Sequence, residues 1–189
     1  ALLCAREKLT DHSQMKHGLQ GEISPMVIYS STQSHSSVKK AALLAGFGLD
    51  NLRSIETDKN FALDIDRLEQ AIKEDLSKGN TPCAVVATMG TTGTTAIDPV
   101  SAIAALAKKY GLWLHVDAAM AGSAMILPEF RRMWDGIENA NSLVLNPHKW
   151  LGVVFDCSLF YIQDSEHLIR VMSTNPSYLQ TAVDDQAKN

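Results

Sequence analysis

Three uninterrupted apolar runs of strand length constrain this chain more than any other feature. They are Pro82-Cys-Ala-Val-Val-Ala-Thr88, Leu112-Trp-Leu-His-Val-Asp117 and Ser142-Leu-Val-Leu-Asn146. A strand with one face in water alternates polar and apolar residues, whereas these must be covered on both faces. Helical segments stand between several of the strand-like runs, which predicts a parallel sheet with helices on both faces, an α/β architecture.

The expected elements follow in order. Ala1 to Leu9 reads as helix interior, and a polar segment with His12, His17 and Gly21 leads to a short β-rich run, Met26 to Ser31. Ser34 to Ala45 is a helix with a serine cap, stopped by Gly46. Leu52 to Ile55 reads as a short strand, and Asp64 to Leu76 carries Ile65, Leu68, Ile72 and Leu76 at helical spacing. After the run at 82–88 comes a Gly/Thr-rich turn, Gly90 to Thr95, and then Asp98-Pro99 at the start of a helix from Val100 to Tyr110. Asp98 is the expected N-cap, Pro99 the first helical residue and Gly111 the stop. Asp156 to Ile162 follows the run at 142–146 after a loop too short for a helical crossover, which predicts one antiparallel strand. Ser165 to Met172 is a capped surface helix, ended by Asn175-Pro176.

Composition narrows the partners. With 189 residues, 46% of them hydrophobic, the chain can bury one sizeable core. A net charge of -4 gives no electrostatic case for nucleic acid or an anionic membrane, and no run approaches the roughly 18 apolar residues of a membrane helix. Cys4, Cys83 and Cys157 are odd in number and form no CxxC pair, which suits reduced thiols in a cytoplasmic protein. No metal-ligand spacing is apparent. The chain opens inside helix-like sequence and ends in a polar stretch, Asp184 to Asn189, and so reads as a piece of a longer protein.

Chemistry enters at the strand ends. In open α/β sheets, ligands bind beyond the carboxyl ends of the strands. One run ends in a single carboxylate, Asp117, and another empties into Asn146-Pro147-His148-Lys149. A lysine and an aspartate so placed are what pyridoxal phosphate needs: an amine to form an imine with its aldehyde, and a carboxylate to keep its ring nitrogen protonated.

Four ordered motifs then amount to a resemblance: SSTQSHSSVKKAA, ATMGTTGTTAIDP, HVDAAMAGSAMILPEFR and LNPHKW. Together they resemble the group II pyridoxal-phosphate amino-acid decarboxylases over about Val27 to Gln180. The Trp after the lysine and the FDCS that follows are closer to the aromatic-L-amino-acid branch than to the glutamate branch. The resemblance implies the fold-type-I large domain, with the phosphate-binding Ser/Ala/Ser turn, the catalytic loop and a C-terminal small domain outside this chain. It makes Lys149 the covalent anchor, Asp117 the ring-nitrogen partner, and His35 and Ala119 the neighbours of opposite ring faces. Thr92 would contact the cofactor near its ring oxygen, although the family usually has a second threonine where this chain has Gly93. Asn146 and His148 would lie near phosphate or substrate. Asp98 would be either a residue behind the cofactor or only a helix cap. His12, His17 and His167 are expected to be solvated.

The implied reaction is decarboxylation of an L-amino acid, aromatic by branch, in a homodimer. Family members protonate the product carbon with a loop tyrosine, and relatives with phenylalanine there make an aldehyde by oxidative deamination. Tyr178 belongs to the turn before that loop, so the choice between amine and aldehyde lies outside this sequence. Another fold-type-I pyridoxal enzyme, such as an aminotransferase, and a non-catalytic binding module are the alternatives.

Overall fold

A computed structural model describes residues 1–19 and 24–173. Gly21, the Asn175-Pro176 helix stop, Tyr178 and the polar stretch 184–189 lie outside the described residues.

The central strand explains the layout. Thr81–Thr88 (β3) is buried along nearly its whole length, so neighbours flank it and helices cover both faces. On one side lie Met26–Ser31 (β1) and Leu52–Ile55 (β2); on the other lie Trp113–Asp117 (β4), Ser142–Leu145 (β5) and Leu159–Ile162 (β6). The sheet order is β2-β1-β3-β4-β5-β6. All pairs are parallel except β5 with β6, which is antiparallel as expected, although the connection, residues 146–158, is longer than the sequence suggested.

Alternation along the strands sends the two sets of side chains to separate cores. Val27, Tyr29, Val85, Ala87, Leu114 and Val116 face Ile65–Ser77 (α4) and Val100–Tyr110 (α5), burying Leu68, Ile72 and Ile103 against them. Ile28, Ala84, Val86 and Trp113 face Leu2–Leu9 (α1) and Ser36–Leu44 (α3), with Leu2, Cys4, Val38 and Ala42 between. A short helix, Ser13–His17 (α2), follows α1, and Ser165–Met172 (α6) packs on α1. Each fully buried Leu or Ile contributes about 1.5–3 kcal/mol, so the two layers hold the strand ends firmly. Among the described residues, no helix is long and apolar enough to cross a membrane.

Three local expectations need correction. The cap of α3 is His35, not Ser34: its ring accepts from the Ser37 amide at 3.2 Å. Asp98 does not cap α5. Pro99 occupies the cap position and the helix begins at Val100, because the Asp98 carboxylate is committed elsewhere. His167 is not solvated. It is only 5% exposed, with Nε2 against the Cys4 carbonyl at 2.8 Å and its ring beside Trp113 and His12. The cap expected on α6 is Asp164, whose carboxylate accepts from the His167 amide at 2.9 Å. His12 is also partly enclosed, with Nδ1 buried and unpartnered among the described residues. Cys4 and Cys83 are buried free thiols and Cys157 is a half-buried one.

Candidate active site

The carboxyl ends of β3, β4 and β5 converge on one cleft of about 230 Å³. Thr88 closes β3 and Asp117 closes β4, and the two are paired in register across the parallel strands. Val144 lines the cleft from β5, and Asn146 and Lys149 from the turn that follows. His35 and Ser37 reach it from the start of α3, Gly90 and Thr92 from the turn after β3, and Ala119 and Met120 from the turn after β4.

Each side chain is held by local geometry. Asp117 Oδ1 accepts from the Ala119 amide at 3.1 Å, which leaves its second oxygen without a protein donor among the described residues. Two residues below it on the same face, His115 meets the Ser142 hydroxyl at 2.9 Å, and burial pushes the ring down to about 3. His115 therefore brings no positive charge up the strand to Asp117. His35 Nδ1 also meets the Ser37 hydroxyl, at 2.9 Å. Since Nδ1 accepts from the Ser37 amide, a neutral ring carries its proton on Nε2.

Lys149 sits in a tight turn. Its amide donates to the Asn146 carbonyl at 3.0 Å, and its carbonyl accepts from Gly152 at 3.2 Å. Two bonds pin the longer loop around it: Ser158 Oγ donates to Asn146 Oδ1 at 2.7 Å, and the Cys157 amide donates to His148 Nδ1 at 2.9 Å. The Lys149 amine itself makes no hydrogen bond or ion pair among the described residues.

Gly90 brings two turns together. Its φ is +83°, and a Cβ there would lie 2.5 Å from the Ala121 Cβ. Only glycine permits this approach, and it sets Thr92 and Ala119 in one cleft. Behind them, Asp98 is 1% exposed, and its two oxygens accept from the Leu63 amide at 2.8 Å and the Thr88 amide at 2.7 Å. Burial pushes its carboxyl up to about 6, against the pull of these two donors.

The family model described as the pyridoxal-dependent decarboxylase conserved domain matches residues 1–189. The chain belongs to the pyridoxal-dependent decarboxylase family. Tyrosine decarboxylase 4 of Petroselinum crispum is 45% identical over 190 residues, covering 100% of this chain and 37% of the relative. Phenylacetaldehyde synthase of a Rosa hybrid cultivar is 42% identical, covering 98% and 37%. Among solved structures, Oryza sativa TDC with PLP and tryptamine superposes with a TM-score of 0.92 at 40% identity, over 100% of this chain and 38% of that one. The fold is thus that of fold-type-I pyridoxal enzymes, and the chain spans under two fifths of the length of the relatives it matches.

Of the residues singled out from the sequence of this family member, Lys149, Asp117, His35, Ala119, Thr92 and Asn146 line the cleft. His148 and Asp98 do not. His148 spends Nδ1 on Cys157 and packs edge-on to Phe155 at 5.0 Å, so it shapes the lysine loop. Asp98 acts through Thr88 and Leu63. Sequence reasoning missed Thr88, Ser37, Gly90, Met120, Val144 and Ser158 as lining residues. The strand-end rule that flagged Asp117 applies equally to Thr88, and was the available signal. Ser158 carries no such signal, because its place depends on the β5–β6 pairing.

The donor set fits pyridoxal phosphate: an amine without a protein partner, a carboxylate with one oxygen unclaimed, a histidine ring and an alanine methyl around one cleft. A further sign is the Thr88 hydroxyl, buried in the cleft wall without a hydrogen-bond partner among the described residues, a state that calls for a partner.

Proposed function

We propose that the full-length protein is a pyridoxal-phosphate-dependent carboxy-lyase that releases carbon dioxide from an aromatic L-amino acid and leaves the amine. One observation carries this reading: the unpaired Lys149 amine shares a cleft with the strand-end carboxylate of Asp117. When bound, pyridoxal phosphate supplies an aldehyde that captures amines and a conjugated ring that accepts the electron pair left by the departing carboxylate.

The chain's own residues do the rest. Lys149 would hold the aldehyde through Nζ, the amine that lines the cleft without a protein partner among the described residues. Asp117, braced at Oδ1 by the Ala119 amide, offers its other oxygen to the ring nitrogen and keeps a proton there. His35, with Nδ1 engaged by Ser37, presents Nε2–H as a donor to the substrate carboxylate and a flat face to the ring. Ala119 and Thr92, which line the same cleft, would hold the cofactor through a methyl group and a hydroxyl. Asn146, whose Oδ1 is taken by Ser158, keeps its amide N–H for a phosphate or substrate oxygen. His148 and Asp98 support the site from behind, through the loop and through Thr88.

The chain is, on this reading, part of the large cofactor-binding domain of a cytoplasmic homodimer. Its loop after Lys149 exposes Val154 to 85% and Phe155 to 82%, apolar surface that the remaining sequence or a second copy would cover.

Incubating the full-length protein with tyrosine, Dopa, tryptophan or phenylalanine should release carbon dioxide and amine in equal amounts. No carbon dioxide from any of them would sink the proposal and leave an aminotransferase or a binding module. A second reading, an aldehyde synthase, is favoured by the rose relative and by the Rhodiola rosea 4-hydroxyphenylacetaldehyde synthase, 36% identical. It consumes oxygen and water and yields aldehyde, carbon dioxide, ammonia and peroxide, so peroxide in step with carbon dioxide identifies it.

A further inference from the structure

Thr88 is the one cleft residue whose polar group has no assignment. It is 4% exposed, and its Oγ1 is buried with no hydrogen-bond partner among the described residues. Leaving a hydroxyl in that state costs stability, and an acceptor brought within reach of it would relieve the cost.

The backbone shows that Thr88 is placed with care. Its amide donates to Asp98 Oδ2 at 2.7 Å and its carbonyl accepts from the Asp98 amide at 3.0 Å, so one buried residue grips the two peptide groups that flank Thr88. Its register partner is Asp117. Paired residues of adjacent parallel strands stand about 4.8 Å apart and direct their side chains to the same face. A threonine hydroxyl and an aspartate oxygen on such neighbours can meet through side-chain rotation alone. Asp117 has the capacity to accept, because Ala119 uses only Oδ1.

We propose that Thr88 is a positioning residue for Asp117: once a ring nitrogen draws the carboxylate into the cleft, the Thr88 hydroxyl donates to it and fixes its orientation. This rests on the pyridoxal reading above. The hydroxyl has no protein acceptor among the described residues and gains one when Asp117 is drawn to the ring nitrogen, so the hydrogen bond contributes to cofactor affinity rather than to the stability of the cofactor-free protein.

That division sets opposite signs on two readouts. In the full-length protein, Thr88→Val preserves shape and removes the hydroxyl. It should raise the melting temperature of the cofactor-free form, while weakening pyridoxal phosphate binding about tenfold to a hundredfold, the range for one hydrogen bond to a charged acceptor. Thr88→Ser should restore affinity. The penalty should shrink with the 1-deaza analogue of the cofactor, which has carbon where the ring nitrogen would be. Unchanged affinity in Thr88→Val, an equal penalty with both cofactors, or a lowered melting temperature of its cofactor-free form would each overturn the proposal. If the wild-type protein itself takes up no pyridoxal phosphate, the underlying reading falls, an outcome distinct from failure in the variant alone.

Discussion

Replacing Asp98 with asparagine tests how a buried carboxylate supports the cleft from behind. The Asp98 carboxyl titrates near 6 in the folded protein, against a reference value of 3.8, because burial outweighs its two amide donors. A raised acid favours the protonated form on folding. Its contribution to stability is therefore fully present below about 3.8 and is lost as pH rises through about 6. At pH 7 both states have released the proton. At pH 5 the folded state has kept it while the unfolded chain has largely lost it, which amounts to on the order of 1 kcal/mol in favour of the fold.

Asparagine does not titrate and cannot show this gain. It also accepts from only one of the Leu63 and Thr88 amides and orphans the other, at about 1–3 kcal/mol, offset at pH 7 by relief of the buried charge. The gap in unfolding free energy between wild type and Asp98→Asn should thus be small at pH 7. It should be wider at pH 5 by on the order of 1 kcal/mol. Urea unfolding of the cofactor-free protein at the two pH values measures it. A gap that is constant, or wider at pH 7, would show that the amide donors govern the carboxylate and would refute the reasoning.

Two further substitutions separate local structure from chemistry. His35→Ala should cost about 1 kcal/mol of stability through the lost cap on α3, together with cofactor affinity and turnover. His35→Asn should keep the cap and the melting temperature while still losing turnover; equal thermal losses in both would show that His35 serves the helix alone. Gly90→Ala puts a methyl group 2.5 Å from the Ala121 Cβ at a φ of +83°, and should destabilise the protein by about 1–3 kcal/mol or more in thermal melts, with loss of cofactor binding.

What could be read from sequence was what local pattern determines. The β-rich run placed β1 at its observed bounds, Gly111 placed the end of α5, and strand-end logic brought Lys149 and Asp117 to one cleft. The failures come from long-range contacts. Asp98-Pro99 has the local form of a helix start, but its carboxylate goes to an amide 35 residues away. His167 lies in a polar segment, and only the packing of α6 on α1 encloses it. The strand expected from Asp156 begins at Leu159, because His148 and Asn146 engage Cys157 and Ser158 first. Thr88 looked like the end of an apolar run, and its significance appears only when β3 and β4 are set in register.

The role of Lys149 is open to direct measurement. The full-length protein, loaded with pyridoxal phosphate and reduced with borohydride, can be digested and its modified peptide identified by mass spectrometry. The expected result is a single reduced adduct on Lys149, absent from Lys149→Ala. An adduct on another lysine, or an undiminished one in Lys149→Ala, would contradict the site described for this cleft.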